Sequence, residues 1–163
     1  MIEKNIEAAV ISAIANLNLP GLDIHGFWQD VPPGETVGLE AAEATAVLVA
    51  KASLLKYDAY SSPKAECTVK LAMAVRLERS PTGAELAGLI DPVNSLLRTW
   101  QLSLPDLKRD VAPDGFSILG ARLDGGDGNY NQANRTWQIG FSLVLRGVVV
   151  PVTTNPSNNE RKE

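Results

Sequence analysis

The sequence predicts an α+β fold, a two-layer sandwich in which an antiparallel sheet of about four strands carries helices on one face, in the order α-β-β-α-β-β. Three observations predict it. Residues 66–78 and 137–145 alternate apolar and polar side chains, the period of a strand with one face covered. Residues 2–17 and 82–100 instead repeat their apolar positions every three or four residues, the period of a helix with one buried stripe. No repeat or linker divides the 163 residues, which suit one domain over 1–152.

In the first helix Ile2, Ile6, Ala9, Val10, Ala13, Ile14 and Leu17 share a face, and Asn18-Leu19-Pro20-Gly21 stops it. Residues 20–43 read as a long loop with an extended piece around Ile24 to Trp28. From Asp30 to Glu43 this segment holds Asp30, Glu35, Glu40 and Glu43 and no lysine or arginine. Thr45 to Ser53 is apolar on both faces and β-branched enough for a strand covered on both sides. Turn residues follow at Tyr57 to Lys64.

The next strand, Glu66 to Glu78, sets Cys67, Val69, Leu71, Met73, Val75 and Leu77 on one face and Lys70, Ala72, Ala74 and Arg76 on the other. Thr82 and Glu85 have capping-box spacing at the start of the second helix. Leu86, Leu89, Ile90, Val93, Leu96, Leu97 and Trp100 form its core stripe, and Pro92 within it predicts a kink or break. A loop with Pro105 and Pro113 leads to a strand from Phe116 to Asp124. Its phase slips between Ile118 and Leu119, which predicts a bulge near Gly120. Asp124-Gly-Gly-Asp-Gly-Asn129 reads as the turn of a hairpin closed by Trp137 to Leu145. Residues 153–163 have no apolar side chain to dock and read as a disordered tail.

Composition narrows the function. The net charge of -4 is a poor match for general nucleic-acid binding. The N-terminus lacks the pattern of a secretory signal and no apolar run approaches a membrane span, so a cytoplasmic site of synthesis and assembly is expected. The single Cys67 sits in the apolar row of its strand and reads as a buried small hydrophobe. His25 is the lone histidine, so every His-dependent catalytic arrangement would have to pass through it. The oxygens of Asp124, Asp127, Asn129 and Asn131 invite a hard cation, but the spacing is not that of a calcium loop and these residues are also what turns prefer. The expectation is a protein that is not an enzyme and needs no cofactor or metal.

What remains are contact residues. Phe27 and Trp28 place two aromatics beside the acidic residues Asp30 and Glu35, a combination suited to a partner. Trp100 and Trp137 fall on apolar faces and belong to the core. On the polar side of the sheet Lys70, Arg76 and Arg146 alternate with small Ala72, Ala74, Gly140 and Ser142. Such a face is either simply solvated or one against which another subunit lies, with the charges setting register. Lys51, Lys70, Arg76 and Arg122 are also candidates to line a channel that passes DNA.

The layout resembles that of the tail terminator (tail completion) proteins of long-tailed bacteriophages. The likeness covers residues 1 to about 150. It rests on the N-terminal helix, the acidic loop, the Arg76-Leu-Glu-Arg-Ser-Pro-Thr-Gly-Ala-Glu85 junction and the closing hairpin from Phe116-Ser-Ile-Leu-Gly-Ala-Arg-Leu-Asp-Gly-Gly-Asp to Leu145. It implies a virion tail protein that forms a ring, usually a hexamer. Such a ring caps the tail tube, ends its polymerisation, and contacts the tube protein and a head-side connector. A head-tail joining or other minor virion protein is the neighbouring reading. A small cytoplasmic binding module and a metal enzyme built on Asp124 and Asp127 are the readings from other classes.

Overall fold

The computed structural model describes residues 1–29, 46–76, 83–133 and 135–151. Among them are three helices, α1 (Ile2–Ala15), α2 (Gly83–Leu102) and α3 (Leu104–Asp110). The strands are β1 (Leu22–Gly26), β2 (Ala46–Ala52), β3 (Lys56–Tyr57), β4 (Lys64–Arg76), β5 (Phe116–Asn131) and β6 (Thr136–Val149). They form one sheet in the order β1-β2-β4-β6-β5, with β3 paired to one end of β4.

The α+β class stands, and the sheet is larger than expected. The extended piece near Ile24 is a full edge strand, parallel to β2 with Leu22 opposite Ala46 and Gly26 opposite Ala50. The sheet is therefore mixed. A parallel pair needs a long crossover, and residues 27–45 supply the length. Every other pairing is antiparallel.

Alternation along β4 sorts the two faces. Ala65, Cys67, Val69, Leu71, Met73 and Val75 point to one side and are buried, joined there by Leu48 of β2 and Leu143 and Leu145 of β6. All three helices press their apolar stripes onto this side. α1 lies over β1 and β2, while α2 and α3 lie over β5. From α1 come Ile6, Val10 and Ile14, and from α2 Val93, Leu97 and Trp100. Each such side chain contributes roughly 1.5–3 kcal/mol of transfer free energy. Trp100 also donates its indole N–H to Asp110 Oδ2 at 2.9 Å, tying α2 to α3.

α2 runs unbroken through Pro92. The carbonyl that loses its donor belongs to Gly88, an exposed residue, so water can take the place of the missing N–H. α3 was expected as loop. Ser103 caps it by accepting from the Asp106 N–H at 3.3 Å, and Pro105 sits in its first turn.

The glycine-rich segment 124–129 is not the hairpin turn. β5 continues through it to Asn131, paired with β6 as far as Asn131 opposite Thr136. Two register shifts make this possible, one at Leu119 beside the expected Gly120 and one at Gly126. Gly125 and Gly126 have φ of +95° and +98°, values that L side chains rarely adopt. The hairpin closes beyond the Asn131–Thr136 pair, and Arg135 takes the left-handed conformation. Leu119, expected on the same face as Ala121 and Leu123, is the bulged residue and is half exposed.

Candidate interaction face

The face of the sheet opposite the helices belongs to the even-numbered residues of β4 and β6 and the odd-numbered residues of β1 and β2. Its middle is built from small side chains. Val49, Ala72 and Gly140 lie side by side on β2, β4 and β6, and Ala72 and Gly140 are exposed. Val47 and Val144 are buried on this face although no described helix covers them. A shallow depression of about 300 Å³ opens over Val144, lined also by Leu119, Gly120, Arg122 and Arg146.

The nominated contact residues separate into three groups. Phe27, Trp28 and Lys51 come together. The two rings meet edge to face at 5.0 Å, and Lys51 Nζ stands 4.3 Å from the centre of the Phe27 ring. Lys70 lies directly opposite Lys51 in the ladder, so the two cations are neighbours. Phe27, Lys51 and Lys70 are exposed.

A second group is already engaged. Arg146 donates to Asp58 Oδ2 at 2.7 Å and to Glu66 Oε2 at 3.4 Å. Its hydrogen bond holds the Asp58 carboxyl below the usual carboxylate range, and its charge adds to the effect. Arg122 meets Asp124 at 3.4 Å on the edge strand. Arg76 is buried at the far end of β4, away from the Lys51–Lys70 pair. The four basic residues proposed to line a channel therefore do not form one stripe. Asp30 and Glu35, the third group, lie outside the described residues, as does the tail from residue 152.

Trp28, expected as a partner contact, is an internal anchor. Its indole N–H donates to the Ala52 carbonyl at 2.6 Å, and its backbone N–H donates to Glu7 Oε2 at 2.7 Å. Glu7 is the residue the sequence reading missed. It is fully buried in α1, and its carboxylate also accepts from the Ala52 N–H at 3.1 Å and from Gln29 Nε2 at 3.3 Å. The reason is topological. β1 ends opposite Ala50, so the Ala52 N–H has no strand to pair with, and Glu7 takes that place. One turn earlier, Glu3 accepts from the Leu55 N–H at 3.0 Å. A signal was present, since Glu7, Val10 and Ile14 share the i, i+3, i+7 spacing of the buried stripe.

Cys67 is buried, and desolvation pushes its thiol up to about 12, against a weak hydrogen bond to the Ser53 carbonyl at 3.3 Å. A group so far from thiolate is a poor nucleophile. His25 is half buried on the outer side of β1. Among the described residues no three metal-binding side chains cluster, and no helix is long and apolar enough to cross a membrane. No family model and no curated protein matches the sequence.

Proposed function

We propose that this chain is a structural protein of a long phage tail that assembles into a closed ring, caps the tail tube and joins it to the head. The observation that carries the reading is the face of the sheet that no described helix covers. Among the described residues, a long, well-paired sheet with helices on one side leaves a broad surface of small side chains and fixed charges, which suits contact with another chain. The ring is expected to be a hexamer in the virion tail, with the tube protein on one side and a head-side connector on the other. These assignments come from the resemblance in layout.

Two measurements test the reading. Native mass spectrometry across concentration should give one closed oligomer. Purified protein added to polymerising tube subunits should shorten the tubes seen by electron microscopy and appear at one end. A strict monomer that leaves tube length unchanged would overturn it.

A further inference from the structure

The ring reading leaves open which surfaces meet, and charge supplies an answer that rests on it. The sheet layer of the fold is net positive. The strands and their turns, residues 22–26, 46–76 and 116–149, carry eight Lys/Arg and five Asp/Glu, while the three helices carry four and six. Two of the helical acids, Glu3 and Glu7, are turned inward onto backbone N–H groups, so what the count establishes is a net positive sheet layer, which attracts an acidic side chain on the surface of a second copy.

The contact can be placed more closely. Lys51 and Lys70 are directly opposed, an unfavourable pairing of like charges. Neither makes an ion pair among the described residues, whereas Arg122 and Arg146 on the same face do. The Phe27 ring holds the Lys51 ammonium in place at the surface. Exposed Ala72 and Gly140 beside them let another element approach closely.

On the helical layer, the outward stripe of α2 runs through Gly88, Asp91, Ser95 and Arg98, all exposed. A Cβ added at Gly88 would meet nothing within 4 Å. Asp91 and Arg98 have no charge partner among the described residues. Seven residues of helix separate them by about 10 Å. On the sheet, Lys70, Ser142 and Asp124 are successive cross-strand partners, which places Asp124 also about 10 Å from Lys70. The order of signs is opposite on the two elements.

We infer that the sheet face opposite the described helices in one copy receives the outward stripe of α2 from a second copy, with Asp91 between Lys51 and Lys70 and Arg98 sharing the Asp124 carboxylate with Arg122. The interface is heterologous, the kind that closes into a ring or continues as a filament. Two lysines without an ion pair among the described residues, on a chain of net charge -4, make a weak phosphate-backbone site, so nucleic acid is the competing occupant rather than the expected one.

The test is a charge exchange read by sedimentation velocity and native mass spectrometry. The double variant Lys51→Glu, Lys70→Glu should assemble at least tenfold more weakly than wild type, and adding Asp91→Lys should restore assembly. Far-UV circular dichroism verifies the fold of each variant. Wild-type assembly in the double variant overturns the contact and leaves the ring reading standing. A loss that Asp91→Lys does not repair also overturns it, because the partner surface is then not α2. A labelled oligonucleotide bound by wild type and lost by a double variant that still assembles reassigns the patch to phosphate. A wild-type chain that never assembles removes the ring reading and this contact together.

Discussion

The two faces of β4 differ more than two neighbouring strands usually do. On one face, every side chain from Ala65 to Val75 is at most 1% exposed. On the other, Lys64, Lys70 and Ala72 of the same strand stand in solvent. The backbone is paired on both sides, by β6 along all of β4 and by β2 from Val69 to Val75 with β3 at Ala65 and Glu66. What distinguishes the faces is therefore their covering and not their hydrogen bonding. The covered face holds the fold together. The bare one keeps its charges fixed at known register positions without contributing much packing, which is why it is the place to look for function.

Substitutions on the covered face should have the largest effects. Trp100→Ala removes the largest fully buried side chain and leaves Asp110 without its indole donor. A loss of about 3–5 kcal/mol is expected, measured by urea unfolding. A loss below about 1 kcal/mol would show that α2 and α3 are not held by this contact. Glu7→Ala comes next. It leaves the buried Ala52 N–H and the half-buried Trp28 N–H without their acceptor, at a cost of roughly 2–4 kcal/mol. Glu7→Gln keeps one acceptor oxygen and should cost less. Gly26 belongs to the same device, because a Cβ there would lie 2.5 Å from Glu7 Oε2 and 2.6 Å from Ile11 Cδ1. If Gly26→Ala is as stable as wild type, the carboxylate does not sit against β1 as described.

The same contrast explains what could be read from the sequence. Period-2 alternation identified the two faces of β4 and β6 residue by residue, since a face covered by helices must be apolar and the other need not be. The phase slip at Ile118 and Leu119 located the first bulge for the same reason. The glycine-rich segment misled because Asp, Asn and Gly mark turns, yet glycine also serves a bulge that needs positive φ inside a strand. β1 was only glimpsed, since its parallel pairing to β2 across a long crossover leaves no local signal. Ser103-Leu-Pro-Asp106 did carry the cap and proline of α3, and the loop reading overlooked them. Of the candidate contacts, sequence found Phe27, Lys51 and Lys70 but not their proximity, which follows from register. It also named Arg122 and Arg146 as contact residues, and Asp124, Asp58 and Glu66 engage them within the chain. Glu7 was passed over because a carboxylate on a helix is usually solvated.

The bulged edge offers an intermediate test. Gly125→Ala would force a side chain to φ +95° and bring its Cβ to 2.8 Å from the Gly140 carbonyl. A cost of about 1–2 kcal/mol is expected from the conformation alone, with the β5–β6 register disturbed near Gly140. Amide exchange at Phe141 and Ser142 would report it. Unchanged protection there would mean that the ladder near Gly125 tolerates the change, and that the second bulge does not depend on glycine.

The smallest effect belongs to the bare face, where Arg146 bonds Asp58. Because that hydrogen bond lowers the Asp58 carboxyl in the folded protein, the folded form binds this proton less readily than the unfolded chain does. The stabilisation is therefore complete above the unfolded value of about 4 and disappears as the pH falls through the lower folded value. Asp110 is lowered in the same direction by Arg109, so the wild-type pH profile alone cannot isolate the pair. The informative quantity is the difference in melting temperature between wild type and Asp58→Asn. It should be small and constant from pH 7 to about 5, then close as the solution is acidified and Asp58 becomes neutral in both states. A difference that persists unchanged at pH 2 would mean that Asp58 acts through hydrogen-bond geometry and not through charge.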